Sequence, residues 1–180
     1  MNGLVEKEHC AIEGITYKNL TKWRDEELIH IIDRIASEEL TSRYSRKRKL
    51  KVFVKPSRSR SSKLRHSYRE KNMFLGCHGW AHWRQHMVEL LIPSGNIITV
   101  LKEDGYKEKK DVIDRLNLED MIELCHLVAH EFWHIEHQRG GQHVEIFLRR
   151  HWKYGRPKTE EDQQKQRDHF VWVEDYCLRT

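Results

Sequence analysis

The chain has no CxxC pair and no apolar run of membrane-spanning length, and its residues 43–71 contain a single acid, Glu70. Each absence narrows what the protein can be. The four cysteines, Cys10, Cys77, Cys125 and Cys177, are far apart, which argues against a zinc ribbon and a dense disulfide framework and for a reduced intracellular compartment. The opening MNGLVEKEHCAIEG has no apolar core of signal-peptide length, so the expectation is a soluble, cytoplasmic protein with no membrane partner. Apolar residues are also scarce. With 38% hydrophobic and 34% charged residues in 180, one modest core with long polar connections is expected rather than two domains.

Residues 1–20 show no period and read as a loose arm. From Asp25, apolar residues at Leu28, Ile31, Ile32, Ile35 and Leu40 recur at helical spacing and predict an amphipathic packing helix. In the basic block that follows, Leu50 to Val54 alternate as a strand that Pro56 ends, and residues 57–65 have the composition of a flexible loop. His78, Trp80 and His82 would share one face of a strand lining an active-site cleft, and Gly79 permits close approach to the backbone. Residues 87–92 and 97–101 flank Pro93-Ser94-Gly95-Asn96 and predict a β-hairpin. A long helix is predicted over 118–138, ending where Gly140 and Gly141 supply a left-handed turn, with a second helix from about Gln142. After Pro157 the tail is polar until Phe170-Val171-Trp172-Val173, read as a docked helix or strand. The organisation expected is an arm at 1–20, a body at 21–156 and a tail at 157–180.

The chemistry concentrates in Leu127–His143, LVAHEFWHIEHQRGGQH. His130-Glu131-Phe132-Trp133-His134 is an HExxH pattern, whose i, i+4 spacing puts two imidazoles one turn apart on one helix face, with Glu131 beside them as the base. The long helix is apolar except for one line, Glu123, His126, His130, His134 and His137, and the motif lies on it. A catalytic zinc needs a third protein ligand. Gly140 stands where a metzincin has its third histidine. His137 is about 10 Å along the axis from His130. Cys77 would suit a deformylase-like site but lacks most of that motif. His143, after the reversal, is the expected third ligand. Glu145 and Glu123 are the expected acceptors that fix the ligand imidazoles, and His151, Tyr154 and His78 are candidates for stabilising an oxyanion. Cys77, His78, His82 and His86 form a less favoured second metal set.

This order of helix, basic strand, further strands, HExxH helix, turn and His143 with Phe147 four residues on resembles the SprT-like zincins, small zinc peptidases that include DNA-associated proteases. His130, Glu131, His134, His143 and Phe147 carry the resemblance. Val144 replaces the glycine usual after the third histidine, the nine-residue step from His134 to His143 is short for the family, and no C-terminal zinc ribbon is present. The resemblance implies an α+β zincin-like domain with an N-terminal helix, a short, mainly antiparallel sheet and a central HExxH helix followed by a second helix. It also implies one Zn2+ per chain and hydrolysis of a protein or peptide by a zinc-activated water, with Glu131 as general base. The basic block suggests DNA or other nucleic acid as a partner through 43–71, with Arg46, Lys47, Arg48, Lys49, Lys51, Lys55, Arg58 and Arg60 facing phosphates. Two other readings are a nucleic-acid-binding protein on a zincin scaffold and a deformylase-like zinc amidohydrolase.

Overall fold

The computed structural model describes residues 7–9, 14–21, 23–57, 78–93, 118–155 and 157–179, which carry five strands and six α-helices. The strands are β1 (Lys7–His9), β2 (Ile15–Asn19), β3 (Leu50–Ser57), β4 (His78–His82) and β5 (Met87–Pro93), in the sheet order β1-β2-β3-β5-β4. The helices are α1 (Asp25–Glu39), α2 (Arg43–Lys47), α3 (Leu118–His137), α4 (Gln142–Arg150), α5 (Glu160–His169) and α6 (Val171–Arg179). Among the described residues no helix is long and apolar enough to cross a membrane.

The α+β class is as expected, but the sheet is mixed. β2, β3 and β5 run parallel, while β1 and β4 are antiparallel to their neighbours. β2 falls in the stretch expected to be a loose arm: Ile15 and Tyr17 enter the core, and its backbone pairs with β3 from Ile15↔Leu50 to Asn19↔Val54. Five residues with two inward side chains are too few to register as a period. β5 has β3 along one edge and β4 along the other. The second arm of the predicted hairpin, 97–101, lies outside the described residues.

Strand alternation divides the sheet into two unlike faces. Ile15, Tyr17, Leu50, Val52, Val54, Val88, Leu90 and Ile92 point inward and are buried, together with α1 residues Leu28, Ile31, Ile32 and Ile35 and α3 residues Leu124, Val128, Phe132 and Ile135. The alternate positions, among them Lys51, Phe53, Lys55, Glu89, Trp80 and His82, form the outer face. Asn19 joins β2 to α1, its amide donating to the Trp23 carbonyl and to Asp25 Oδ1, both at 2.9 Å. Part of the basic block folds as α2, capped by Ser42, whose own N–H is held by Glu136 Oε1 of α3 at 2.6 Å. Phe170 and Val173 dock the C-terminal helices on the core.

Phe132 is fully buried and Trp80 is 56% exposed. Phe132→Ala is expected to cost about 3–5 kcal/mol in urea unfolding and Trp80→Ala no more than about 0.5 kcal/mol; equal losses would contradict the assignment of the two faces.

Candidate metal centre

Helix α3 supplies His130 and His134 from its one polar line, and the reversal after it sets the second of them. Gln138 takes the left-handed conformation (φ 50°) and the Arg139 N–H bonds back to the His134 carbonyl at 3.3 Å, a Schellman-type stop. The left-handed residue is therefore Gln138; Gly141 (φ 111°) then leads into α4. The bond is returned, because the His134 ring Nδ1 lies 2.7 Å from the Arg139 carbonyl oxygen. On the previous turn, His130 Nδ1 meets the Tyr154 carbonyl.

A carbonyl oxygen only accepts, so both rings carry a proton on Nδ1, which leaves Nε2 as the ring nitrogen turned into the site. These two nitrogens are 3.3 Å apart. Glu145 of α4 completes the group, with Oε1 2.9 Å from His134 Nε2 and Oε2 3.6 Å from His130 Nε2. Burial pushes the His130 imidazole below the usual histidine range, against the pull of the Tyr154 carbonyl and the Glu145 carboxylate, so this ring is neutral at physiological pH. Ligand atoms of His130, His134 and Glu145 lie within 4.8 Å of one another, the one such group of three among the described residues. Two imidazole Nε2 atoms and a carboxylate facing one another fit a metal ion.

Comparison with protein-family models, curated proteins and solved structures found no match. The site is read from its own chemistry.

Glu131 is 4% exposed and lies against β4. It fits there because residue 79 is glycine, where a Cβ would come within 2.6 Å of the Glu131 Cγ and Oε1. The Ala81 N–H donates to its carboxylate, yet burial first and the Glu145 charge second push the Glu131 carboxyl up to about 8. The site opens into a cavity of about 560 Å3 walled by α3, α4, the turn at Tyr154 and the start of β4. Glu123, His126 and Arg149 also line it.

Not every expected residue is in this group. His143 is exposed and outside it. The reason is helical phase: Glu145, two residues and about 200° further round α4, turns inward with its neighbour Leu148, while His143, Phe147 and His151 share the outer side. The imidazole-fixing role assigned to Glu145 belongs to the backbone carbonyls of Arg139 and Tyr154. Glu123 lines the cavity and is not in the cluster. The Tyr154 hydroxyl is turned to Glu39, 3.0 Å away, and His151 packs on Phe147, so of the three oxyanion candidates His78 and the Tyr154 backbone border the cavity. Gly79 and Ala81 form the inward face of β4; Trp80 and His82 point outward, with His82 3.3 Å from Glu89. His86 is buried beside Tyr44, so His78, His82 and His86 do not form a ligand group, and Cys77 lies outside the described residues. Arg46, Lys47, Arg48, Lys49 and Lys51 are exposed, and Lys55 pairs with Glu89; Arg58 and Arg60 lie outside the described residues.

The raised Glu131 carboxyl makes metal-free stability depend on pH. Between the unfolded value near 4.5 and the folded value of about 8, the folded chain keeps a proton that the unfolded chain releases. Stability is full below the lower value and is lost as pH rises through the upper one, by roughly 3–5 kcal/mol. Urea titrations of the metal-free protein should show this decline, and Glu131→Gln should flatten it; an unchanged slope in the variant would assign the decline elsewhere.

Proposed function

We propose that the chain is a zinc-dependent hydrolase of peptide bonds, of the type the resemblance to SprT-like zincins suggests. One observation carries the reading: two imidazoles locked as Nδ1–H by backbone carbonyls converge their Nε2 atoms on the Glu145 carboxylate, beside a second, buried carboxylate. Two histidines and a glutamate are a donor set used by catalytic zinc, which leaves a position for water or substrate. His130, His134 and Glu145 would hold the ion. A zinc ion held there would supply an acidified water, with a pKa of about 7, and a polarised carbonyl. The positive charge would also favour the ionised form of Glu131, which burial and the Glu145 carboxylate disfavour. Glu131, pinned by the Ala81 N–H in the space that Gly79 leaves, takes the proton of the attacking water and returns it to the leaving amine. Because Glu145 supplies the third donor, no cysteine is needed, which weighs against the deformylase-like alternative.

A second reading, contact with nucleic acid, is favoured by the outer face of the sheet. Register places Lys18, Phe53, Glu89 and Trp80 in one row, flanked by Lys51 and Lys55. Trp80 is exposed, Lys55 sits over the Phe53 ring, and the acid of the row, Glu89, is paired with Lys55. Aromatic rings beside cations suit single strands, whose bases stack while phosphates meet lysines.

Metal analysis of the purified chain should find about one zinc, lost in Glu145→Ala and kept in His143→Ala. Glu131→Gln should retain the metal and lower peptide cleavage by about 10²–10⁴-fold; full activity in that variant would overturn the mechanism. For the second reading, fluorescence anisotropy of a labelled oligothymidylate should show binding that weakens with salt and falls in Trp80→Ala and Lys51→Glu. Binding indifferent to both substitutions would remove this face as the contact.

A further inference from the structure

The carbonyl that fixes His130 is itself held from a distance. Tyr154 follows α4 in a tight turn, its N–H bonding the His151 carbonyl at 3.0 Å and the Gly155 N–H bonding the same oxygen at 2.7 Å. Gly155 is buried, and a Cβ there would fall 2.3 Å from the Leu148 carbonyl oxygen and 2.5 Å from the Arg149 Cα, so the turn lies directly on the last turn of α4. Its side chains are gripped from the other side of the domain by Glu39, the last residue of α1, 115 positions away from Tyr154. The Glu39 side chain is 7% exposed. One oxygen takes the Lys153 ammonium at 2.7 Å, and the other takes the Tyr154 hydroxyl at 3.0 Å.

We propose that Glu39 is a positioning residue for the metal centre: through Tyr154 and Lys153 it orients the Tyr154 carbonyl on His130 Nδ1 and thereby keeps Nε2 free for the ion. The inference rests on reading His130 as a metal ligand. Burying a carboxylate is costly unless both its oxygens are engaged, and here both are spent on two consecutive residues of a turn whose carbonyl meets a ligand ring. With both side chains anchored and Gly155 pressed on α4, the backbone between them has little freedom to rotate. Partners of this kind, behind a ligand histidine, set its tautomer and its affinity for the ion. The same turn touches α4, which carries Glu145, so α1 is linked to two of the three donors.

The test compares Tyr154→Phe, Glu39→Ala and the double variant with Ile32→Ala, a buried residue on the same helix that touches none of this chain of bonds. Zinc affinity is measured by competition with a chromophoric chelator, and the His130 tautomer in metal-free protein by long-range 1H–15N spectra of the ring. We expect zinc affinity to fall about 10–100-fold in each single variant and no further in the double variant, with the ring losing its pure Nδ1–H signature. Ile32→Ala should lower the melting temperature with both readouts unchanged. Wild-type zinc affinity and an unaltered tautomer in Tyr154→Phe and Glu39→Ala would overturn the inference and leave the metal centre standing; a wild-type chain that takes up no zinc would sink both.

Discussion

Three acceptor atoms turned toward one another are the constraint on which this molecule depends. His130 Nε2, His134 Nε2 and the Glu145 carboxylate repel one another unless a proton or a cation lies between them, and each ring already donates its Nδ1–H to a backbone carbonyl. That commitment is structural. It is made by the Schellman-type reversal at Gln138 and by the turn at Tyr154. Removing either carbonyl from its ring would let the imidazole change tautomer and protonate toward Glu145, which would satisfy the group without a metal.

The remaining elements set the depth and shape of the site. Helix α3 packs on the inner face of the sheet and on α1, and Glu123, His126 and His130 of its polar line face the cavity. The edge strand β4 closes over Glu131, where glycine at 79 makes the contact sterically feasible. The result is a buried carboxyl whose proton affinity is raised by lost solvation and by its neighbour Glu145. A carboxyl in such a place is unfavourable when charged alone and favourable once positive charge is supplied beside it.

How much of this is legible in the sequence follows from the length scale of each signal. Helix α1 and helix α3 declare themselves because fifteen and twenty residues give several turns of apolar repetition. The HExxH pair is legible because its spacing is itself helical geometry. The third member of the group is less so: His143 and Glu145 both lie in the first turn of α4, and which of them turns inward depends on the phase at which the helix leaves Gly141, which follows from the backbone angles of the whole reversal from Gln138 to Gly141. Glycine at 140 and 141 marks the reversal without giving its angle. The partners of the imidazoles are backbone carbonyls, which every residue has, so no residue identity announces them. β2 and the parallel pairing of β2, β3 and β5 are decided by contacts between segments distant in the chain, and local alternation carries no information about direction.

The most direct measurement is zinc-edge X-ray absorption on the metal-loaded protein, with Glu145→Ala and His143→Ala alongside. The account predicts two imidazole nitrogens and carboxylate oxygen in the first coordination sphere, at about 2.0–2.2 Å, unchanged by His143→Ala and lost or rearranged in Glu145→Ala. A sphere of three imidazoles that collapses in His143→Ala, or one containing sulfur, would contradict it.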